Sequence, residues 1–340
     1  MSEDALPADP SRVEAWLDEA NRIHDDTPEP ALALLRRIAP ASLPLARRTR
    51  FAYLMNHVAG EKLGRWDEAL AAHQAVVDAT GSAMTATLWR QAAAAAHLAG
   101  DAARAARWCD ALATASAAPP GQVQALVVLA VAEFTVPMQD AATAGRQALD
   151  ALRPLAAKAP AAGLDTSLAA VANNVANHFV ERPLDDLRQP ELRSALDVSS
   201  ELALQCWLRA GQWLQQERAH YLRALAANAL GNGDTGATHA RAGLALLDAQ
   251  EDAHAEDVDR AFLELELAQG LRLAGGDGAA VAQDRAQALA NAFGEAWLHD
   301  WFADRRQRNA ALIAQYERGG RAEAANDPVA PPHETGPGPR

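Results

Sequence analysis

The sequence predicts an all-α fold, an α-solenoid of about seven helical hairpins followed by a terminal helix. About a quarter of the residues are Ala, the strongest helix former, and no segment alternates β-branched or aromatic residues with polar ones. The chain has 340 residues, whereas single hydrophobic cores stop growing at about 250–300 residues. The chain therefore forms either two domains or a stack of repeats.

Four stretches share one pattern: an apolar residue, a Gly, a short polar step and a small residue. They are LGRWDEAL at 63–70, LAGDAARAA at 98–106, ALGNGDTGAT at 229–238 and LAGGDGAAV at 273–281. A helix that ends at a left-handed Gly and is followed by a new helix produces this pattern. The predicted left-handed residues are Gly64, Gly100, Gly233 and Gly276. The predicted acidic residues of the following caps or first turns are Asp67, Asp101, Asp234 and Asp277.

Small residues recur at the spacing of one helical hairpin. Ala31, Ala69 and Ala105 lie 38 and 36 residues apart, and Ala141 or Ala142 follows at a similar distance. A period of about 34–38 residues is typical of helical repeat arrays.

The segment YLMNHVAGEKLGRWDEA, at 53–69, resembles a tetratricopeptide repeat (TPR) of bacterial TPR-like proteins. The family pattern places an aromatic residue, a small residue, a Gly and an Ala at fixed positions. Three copies match it in order: Tyr53, His57, Gly64 and Ala69; Trp89, Ala93, Gly100 and Ala105; Leu222, Ala226, Gly233 and Thr238. His57 and Thr238 depart from the small residues of the pattern. The resemblance implies a concave face, lined by the first helix of each hairpin, that binds a protein or peptide.

The elements follow from caps and turn residues. Ser11 caps a first helix that ends near His24, and Pro30 opens its partner. The remaining predicted hairpins span 45–79, 84–115, 121–155, 163–209, 213–249 and 257–292, and a last helix spans 295–318.

One connection, ERPLDDLRQPE at 181–191, contains two Pro residues and fits no copy of the repeat. The hairpin 163–209, which contains this connection, is therefore irregular, and it is predicted to split the array into two TPR-like blocks, residues 11–160 and 161–318. Residues 1–10 are acidic and residues 319–340 are rich in Gly, Pro and Ala, so both ends are predicted to be disordered.

The charge and cysteine content narrow the class of protein. A net charge of −13 and a pI of about 5.2 argue against nucleic-acid binding. Cys109 and Cys206 lie far apart, which predicts no disulfide scaffold and a reducing compartment. The N-terminus lacks the apolar core of a signal peptide, and no apolar run outside the amphipathic segments is long enough to span a membrane. We expect a cytoplasmic protein.

Three Asn residues interrupt the Ala-rich segment AAVANNVANH at 169–178. Asn173 and Asn177 are four residues apart and share a helix face, and Asn174 lies beside them. Asn is more favourable at helix caps than in helix interiors, so the presence of three Asn residues inside one helix calls for an explanation. One interpretation is that their amides bracket a bound peptide backbone. The alternatives are a polar helix face that meets solvent, or buried Asn side chains that bridge to the irregular connection at 182–190.

Several cationic or titratable side chains fall on the predicted concave face and favour an acidic partner, although a solvated surface is the alternative. They are Lys62, Arg90, His97, His220 and Arg223. The carboxylate clamp of the TPR family requires Lys and Asn at fixed positions. Leu54 and Val58 occupy those places in the best copy.

The sequence predicts no metal, cofactor or catalytic site. His57 and His73 fall on facing helices, but a zinc site needs three or four ligands, so a hydrogen-bonded core role is favoured. HAEDVD at 254–259 lacks the spacing of a calcium loop. The common hydrolase, metalloprotease, redox and phosphate-loop motifs are absent.

Tryptophan residues cluster near the C-terminal half, in WLRAGQW at 207–213 and EAWLHDWF at 295–302. Packing within the core is the favoured interpretation, and an exposed patch on the terminal helix is the alternative. The sequence as a whole predicts a non-catalytic scaffold or adaptor that binds a protein or peptide. A small-molecule sensor or enzyme accessory subunit and a structural homo-oligomer are the two alternatives.

Overall fold

A computed structural model describes the backbone of residues 10–251 and 256–326, and the side chains of 11–251 and 256–318. The structure is 83% helical, and no strand occurs among the described residues. The predicted all-α class is therefore confirmed.

Fifteen α-helices, α1 to α15, follow one another in the described parts of the chain. They span Pro10–Ile23, Pro28–Leu35, Leu45–Leu54, Trp66–Thr80, Ala86–Leu98, Ala102–Ser116, Pro120–Thr135, Ala141–Ala156, Asp165–Val180, Pro190–Ala210, Trp213–Ala229, Gly233–Asp248, Asp257–Leu273, Ala279–Ala290 and Ala296–Asn326. The predicted hairpins agree with these bounds to within about two residues, the usual uncertainty of a helix end. The exception is α15, which continues through residues 319–326, assigned to the tail in the sequence analysis. Those residues include the helix formers Ala and Glu, and residues beyond 326 lie outside the described part.

Consecutive helices pack in pairs, and one helix of each pair also packs against its counterpart in the next pair. The pairs are α5 with α6, α7 with α8, α9 with α10, α11 with α12 and α13 with α14. The helices α5, α7, α9, α11, α13 and α15 form a row in which each contacts the next. This row provides the surface on which most of the candidate site lies.

The buried apolar residues form several clusters instead of one core. The largest extends from Leu70 to Leu230, a second from Val13 to Leu88, and two smaller ones lie among the C-terminal helices. The largest cluster crosses residue 160, and α10 packs on α8 across that point. The division into two blocks at residue 160 stays a prediction.

Two of the four predicted left-handed Gly residues are confirmed. Gly64 and Gly100 have φ values of 69° and 78°. The prediction for Gly233 is wrong, because the helix before it ends at Ala229 and the left-handed position falls on Gly231, with φ of 83°. Gly233 instead opens α12, where an added Cβ would lie 2.5 Å from the carbonyl oxygen of Gly270.

The prediction for Gly276 is wrong for the same reason. Gly275 takes the left-handed position, with φ of 66°, and the amide of Gly276 donates to the carbonyl of Leu271 at 2.8 Å. This is the long hydrogen bond of a Schellman turn. Asp277 lies one residue before Gly278, the cap of α14, and therefore outside the predicted first turn. Where Gly residues lie one or two positions apart, the sequence pattern does not show which one is left-handed.

Helix α3 continues as a π-helical segment, Met55–Lys62, which the sequence analysis did not predict. At Gly60 an added Cβ would lie 2.3 Å from the Trp66 ring, so the side chain of α4 packs directly on this backbone. π-Helical turns often mark functional sites, and this one presents His57 and Glu61 toward α9.

Arginine side chains hold the irregular connection between α9 and α10. Arg182 donates to the carbonyls of Val136 and Gln139, and Arg193 donates to the carbonyls of Leu187 and Leu230. Backbone carbonyls at element ends, which would otherwise lack partners, are thereby satisfied.

Helix α15 returns to the end of α9. Arg305 pairs with Glu181, and Arg308 donates to the carbonyls of Val180 and Arg182. Farther along, the Tyr316 hydroxyl donates to the carbonyl of Ala229 at 3.0 Å. The terminal helix is thus fastened across the ends of α9 and α11.

One helical segment in the described residues, Pro120–Met138, has the length and apolar composition of a membrane span. Within its most apolar window, 67% of the residues are buried inside the protein. Most of the segment is α7, which packs against α5, α8 and α9. This placement is that of a core helix and is consistent with a soluble protein.

The close approach of α8 and α10 is tested by Gly145→Ala. An added Cβ would lie 2.5 Å from the backbone nitrogen of Leu192, and backbone cannot yield as a side chain does. We expect a loss of about 1–3 kcal/mol in the free energy of unfolding, measured by urea denaturation. Gly121→Ala is the control, since nothing lies within 4 Å of its Cβ position. Equal stabilities of the two variants would show that the helices separate at little cost.

Candidate functional site

The three predicted Asn residues lie on α9, but their side chains have different surroundings. Asn174 is half-buried and donates to the Glu133 carboxylate at 2.7 Å. Asn173 donates to the side-chain oxygen of Asn174 at 3.4 Å. Asn177 is exposed. Among the described residues, a side-chain hydrogen bond joins Asn174 to α7, and no such bond joins the three Asn side chains to the connection at 182–190.

Glu133 joins the Asn cluster to Arg90, another predicted site residue. Both side chains are buried, and Arg90 Nη1 lies 3.9 Å from Glu133 Oε2. Burial raises the pKa of Glu133, while the charge of Arg90 and the hydrogen bond from Asn174 oppose that shift. Burial also lowers the pKa of Arg90, and its Nε has no hydrogen-bond partner. Arg90 is therefore a buried counter-ion, enclosed within the protein.

Lys62 belongs to a network around the π-helical segment. Its ammonium lies 3.1 Å from Asp25 Oδ1, which also lies 3.2 Å from His57 Nε2. His57 Nδ1 lies 2.6 Å from the Glu61 carboxylate. Burial lowers the pKa of His57, but the hydrogen bonds and charges of Glu61 and Asp25 outweigh it and give a net rise.

Of these residues, His57 and Glu61 line a cavity of 180 Å³, to which α7 and α9 also contribute side chains. Tyr53 stacks on His57 with ring centroids 5.8 Å apart, and burial, then the charge of Glu133, raises the pKa of Tyr53 to about 12. Burial lowers the pKa of His178, which also lines this cavity. The cavity is therefore lined by one histidine that favours the proton and one that does not.

Among the described residues, one group brings three potential metal ligands together: His24, Asp25 and His57, with ligand atoms within 4.8 Å of one another. Two His and one Asp form a ligand set that zinc accepts. The Lys62 ammonium contacts the same Asp25 carboxylate, so a cation of the chain already occupies this neighbourhood. His73, by contrast, is buried and lies 2.7 Å from Asn56 Oδ1, which confirms its predicted core role.

The other predicted residues lie apart from the Asn cluster. Arg223 is buried and pairs with Asp197 at 2.9 Å and Glu201 at 3.1 Å. His220 is half-buried, with its Nδ1 3.1 Å from that of His239, and burial lowers its pKa to about 4. His97 is exposed near the end of α5. The structure does not bring these three residues into one site with Asn173, Asn174 and Asn177.

A second cavity, of 580 Å³, opens between α9, α11, α13 and α15. We call it the aromatic pocket. Each helix contributes two lining residues four positions apart, which share one helix face. These pairs are Asn173 and Asn177, Glu217 and Tyr221, Val258 and Phe262, and Trp297 and Trp301.

The aromatic side chains form a continuous wall. Trp297 and Trp301 stack with centroids 6.3 Å apart, and the Phe262 ring lies 4.3 Å from that of Trp301. Tyr221 meets Phe262 edge to face at 6.2 Å. Trp297 and Trp301 are 57% and 43% exposed, so the interpretation of this pair as core residues is wrong. They lie on the terminal helix, where no later described helix covers them.

The helices α11 and α13 also bring acidic residues to the aromatic pocket. Glu217 is 0% exposed, and no described group donates a hydrogen bond to either of its carboxylate oxygens. Burial, and then the charge of Asp259, raises the pKa of Glu217 to about 8. Arg218 donates to Asp259 at 2.9 Å and to Glu256 at 3.3 Å. At neutral pH Glu217 therefore holds a proton, and one arginine balances two further carboxylates.

Three of the segments that form this pocket stand out in the sequence: the Asn cluster, the terminal Trp pair and the acidic stretch ending at Asp259. The sequence did not predict that they lie around one cavity. Glu217 was missed, because a Glu in an Arg-rich and Gln-rich helix resembles a surface residue. The available signals were the Asn pair and the Trp pair, each of which repeats one residue type after four positions.

The chain matches no protein-family model, and no curated protein is significantly similar to it in sequence. The resemblance to TPR proteins therefore rests on the residues of the repeat pattern alone.

Substitution of Asn174 and Asn177 separates a supporting role from a surface role. Asn174→Ala removes the hydrogen bond to buried Glu133, so we expect a loss of about 1–3 kcal/mol in the free energy of unfolding. Asn177→Ala changes an exposed side chain and should stay within about 0.5 kcal/mol of wild type. Chemical denaturation of both variants measures the difference. A neutral Asn174→Ala variant would show that Glu133 does not depend on this amide.

Glu217→Gln tests the buried carboxyl through pH. The native state holds the Glu217 proton up to a pKa of about 8, whereas the unfolded chain releases it near the ordinary value of 4.5. Wild type therefore loses stability between those pH values, and a Gln side chain does not. We expect the variant to gain about 1–3 kcal/mol over wild type between pH 5 and pH 8.5.

Melting curves at several pH values measure this gain. Asp300→Asn, at an exposed position of α15, controls for the change in net charge. A stability difference that does not vary with pH would mean that Glu217 titrates normally.

Proposed function

We propose that the protein is a non-catalytic, cytoplasmic scaffold or adaptor that binds a peptide segment of a partner protein. The proposed binding surface is the row of helices from α5 to α15, in a TPR-like solenoid. Successive contacts along that row support the solenoid arrangement, since repeats stack by contacts between neighbours. Two free cysteines are compatible with a reducing cytoplasm.

The corrected Gly position also supports the resemblance to TPR proteins. When the later copy is aligned on Gly231 instead of Gly233, Ala224 and Gly236 take the two small-residue positions. Both are buried, and a Cβ on Gly236 would lie 1.9 Å from the Asn228 side chain. The copy then departs less from the family pattern than the sequence analysis supposed.

The observation that carries the proposal is the aromatic pocket. Four helices of the row supply its walls, and exposed Trp side chains lie beside Asn amides that offer both donors and acceptors. Aromatic residues are enriched where proteins bind partners, because they combine a large apolar area with a polar edge. An exposed backbone segment with an inserted side chain fits this combination.

The expectation of an acidic partner gains little support from the predicted cations. Arg90, Arg223 and Lys62 already pair with acidic side chains of the same chain. A bound acidic peptide would have to displace those partners.

The small-molecule alternative is favoured by one observation, the volume of the pocket. At 580 Å³ it falls within the range of about 300–1,000 Å³ that is usual for ligand sites. The homo-oligomer alternative would use the exposed Trp297 and Trp301 as a contact between two copies.

A displayed library of random peptides tests the proposal. Selection on the full-length protein, with counter-selection on Trp297→Ala/Trp301→Ala, should enrich peptides that lose at least about tenfold in affinity for that variant. Arg272→Ala, at an exposed residue outside the pocket, should retain wild-type affinity.

The two alternatives give different results. A failure to enrich any peptide, together with a metabolite that raises the melting temperature, would replace the proposal with the sensor function. A concentration-dependent dimer in light scattering, lost in the Trp double variant, would indicate the homo-oligomer.

A further inference from the structure

The described lining of the aromatic pocket contains more acidic than basic side chains. Among the residues that the structure describes, its lining includes the carboxyl groups of Glu217, Glu256 and Asp259 and one basic side chain, that of Arg218. The guanidinium group of Arg218 already donates hydrogen bonds to Asp259 and Glu256. Glu217 remains, fully buried, with no basic partner of its own among the described residues, and its protonated carboxyl interacts with that of Asp259. A buried carboxyl that lies beside a second acid and has no cation of its own is costly to ionise, so this arrangement favours a cation that arrives from outside.

The aromatic wall faces the same space. The faces of aromatic rings attract cations, and Trp does so most strongly. Trp297 and Trp301 are stacked and exposed, and the Phe262 ring lies close to Trp301. A cation in this pocket would meet both the π-electron density of the rings and the carboxyl group of Glu217. An uncharged apolar group would satisfy the rings but leave Glu217 without a partner.

We propose that the aromatic pocket receives the cationic head of an Arg or Lys side chain from the bound peptide. This inference rests on the proposed function, and it specifies the chemistry of the partner at one position. The alkyl part of the side chain lies against Tyr221 and Phe262, and the head donates hydrogen bonds to Glu217. Asn173 and Asn177, at the α9 wall, are placed to contact the peptide backbone.

Binding of a cation also changes the protonation of the pocket. Without ligand, burial and the charge of Asp259 keep the pKa of Glu217 near 8. Among the described lining residues, the charged groups around Glu217 are Glu256 and Asp259 at α13 and Arg218 on α11, and those contributed by α9 and α15 are uncharged. A bound cation favours the carboxylate, so Glu217 releases its proton on binding. Affinity should therefore rise as pH increases toward about 8.

Short blocked peptides test the inference on the full-length protein. The probes are acetylated and amidated pentapeptides of Ala with a central Arg, Lys or citrulline, monitored by Trp fluorescence. Citrulline has the shape of Arg without its charge. We expect the Arg and Lys probes to bind at least about tenfold more tightly than the citrulline probe. The preference should increase on the order of tenfold between pH 6.5 and pH 8.5.

Two variants assign this preference to the pocket. Glu217→Gln should bind the Arg and citrulline probes with similar affinity and show no pH dependence. Asp300→Asn removes a charge from α15 outside the pocket and should behave as wild type. Circular dichroism checks that each variant is folded.

The outcomes separate the inference from the proposed function. Equal binding of the Arg and citrulline probes would overturn the cation inference and leave peptide binding intact. A peptide selected from the library that binds at the Trp pair without any basic residue would do the same. Tighter binding of the free polyamine spermidine than of the Arg and Lys probes would assign the pocket to a small cation and not to a peptide side chain. Failure of every peptide, charged or neutral, would reject the proposed function itself.

Discussion

Close approach of helix backbones at small residues is the constraint on which the rest of the structure depends. Gly145 meets the backbone of α10, and Gly270 meets that of α12, at distances that leave no room for a Cβ. Side chains at such contacts supply little apolar volume, so the buried surface is distributed over many small contacts and several clusters. The same close packing also buries long polar side chains on the first helix of several hairpins. Glu133, Glu217 and Glu266 are all buried at positions that a single thick core would fill with Leu or Phe.

Local features of the sequence predicted the helices well, because they depend on neighbours in the chain. The helix pairs, most of their ends and the turns at Gly64 and Gly100 follow from Ala content, caps and left-handed Gly. The misassigned turns contain Gly residues one or two positions apart, and the helix end, set by packing, decides between them. The sequence analysis found no signal for the π-helical segment, on which the Trp66 ring packs at Gly60.

The candidate site was predictable only in pieces. The Asn cluster was recognised as unusual, but its division between Asn174, bound to Glu133, and the exposed Asn177 depends on α7 lying beside α9. The charge of a side chain likewise does not show whether it is free. Arg90 and Arg223 resembled ligand-binding residues until their acidic partners were located. Ion pairs and hydrogen bonds between helices that are distant in sequence determine these roles, and they cannot be predicted from one sequence.

Helix α15 links regions that are far apart in sequence. The contact of Arg305 with Glu181 joins residues 124 positions apart, whereas the other main helix contacts join near neighbours along the chain. Loop closure of that length costs conformational entropy and slows folding. The aromatic pocket needs α15 for one of its walls, so it exists only after this distant closure is complete. Occupancy of the pocket and docking of the terminal helix are therefore thermodynamically linked, and any ligand held there also stabilises the C-terminal end of the chain.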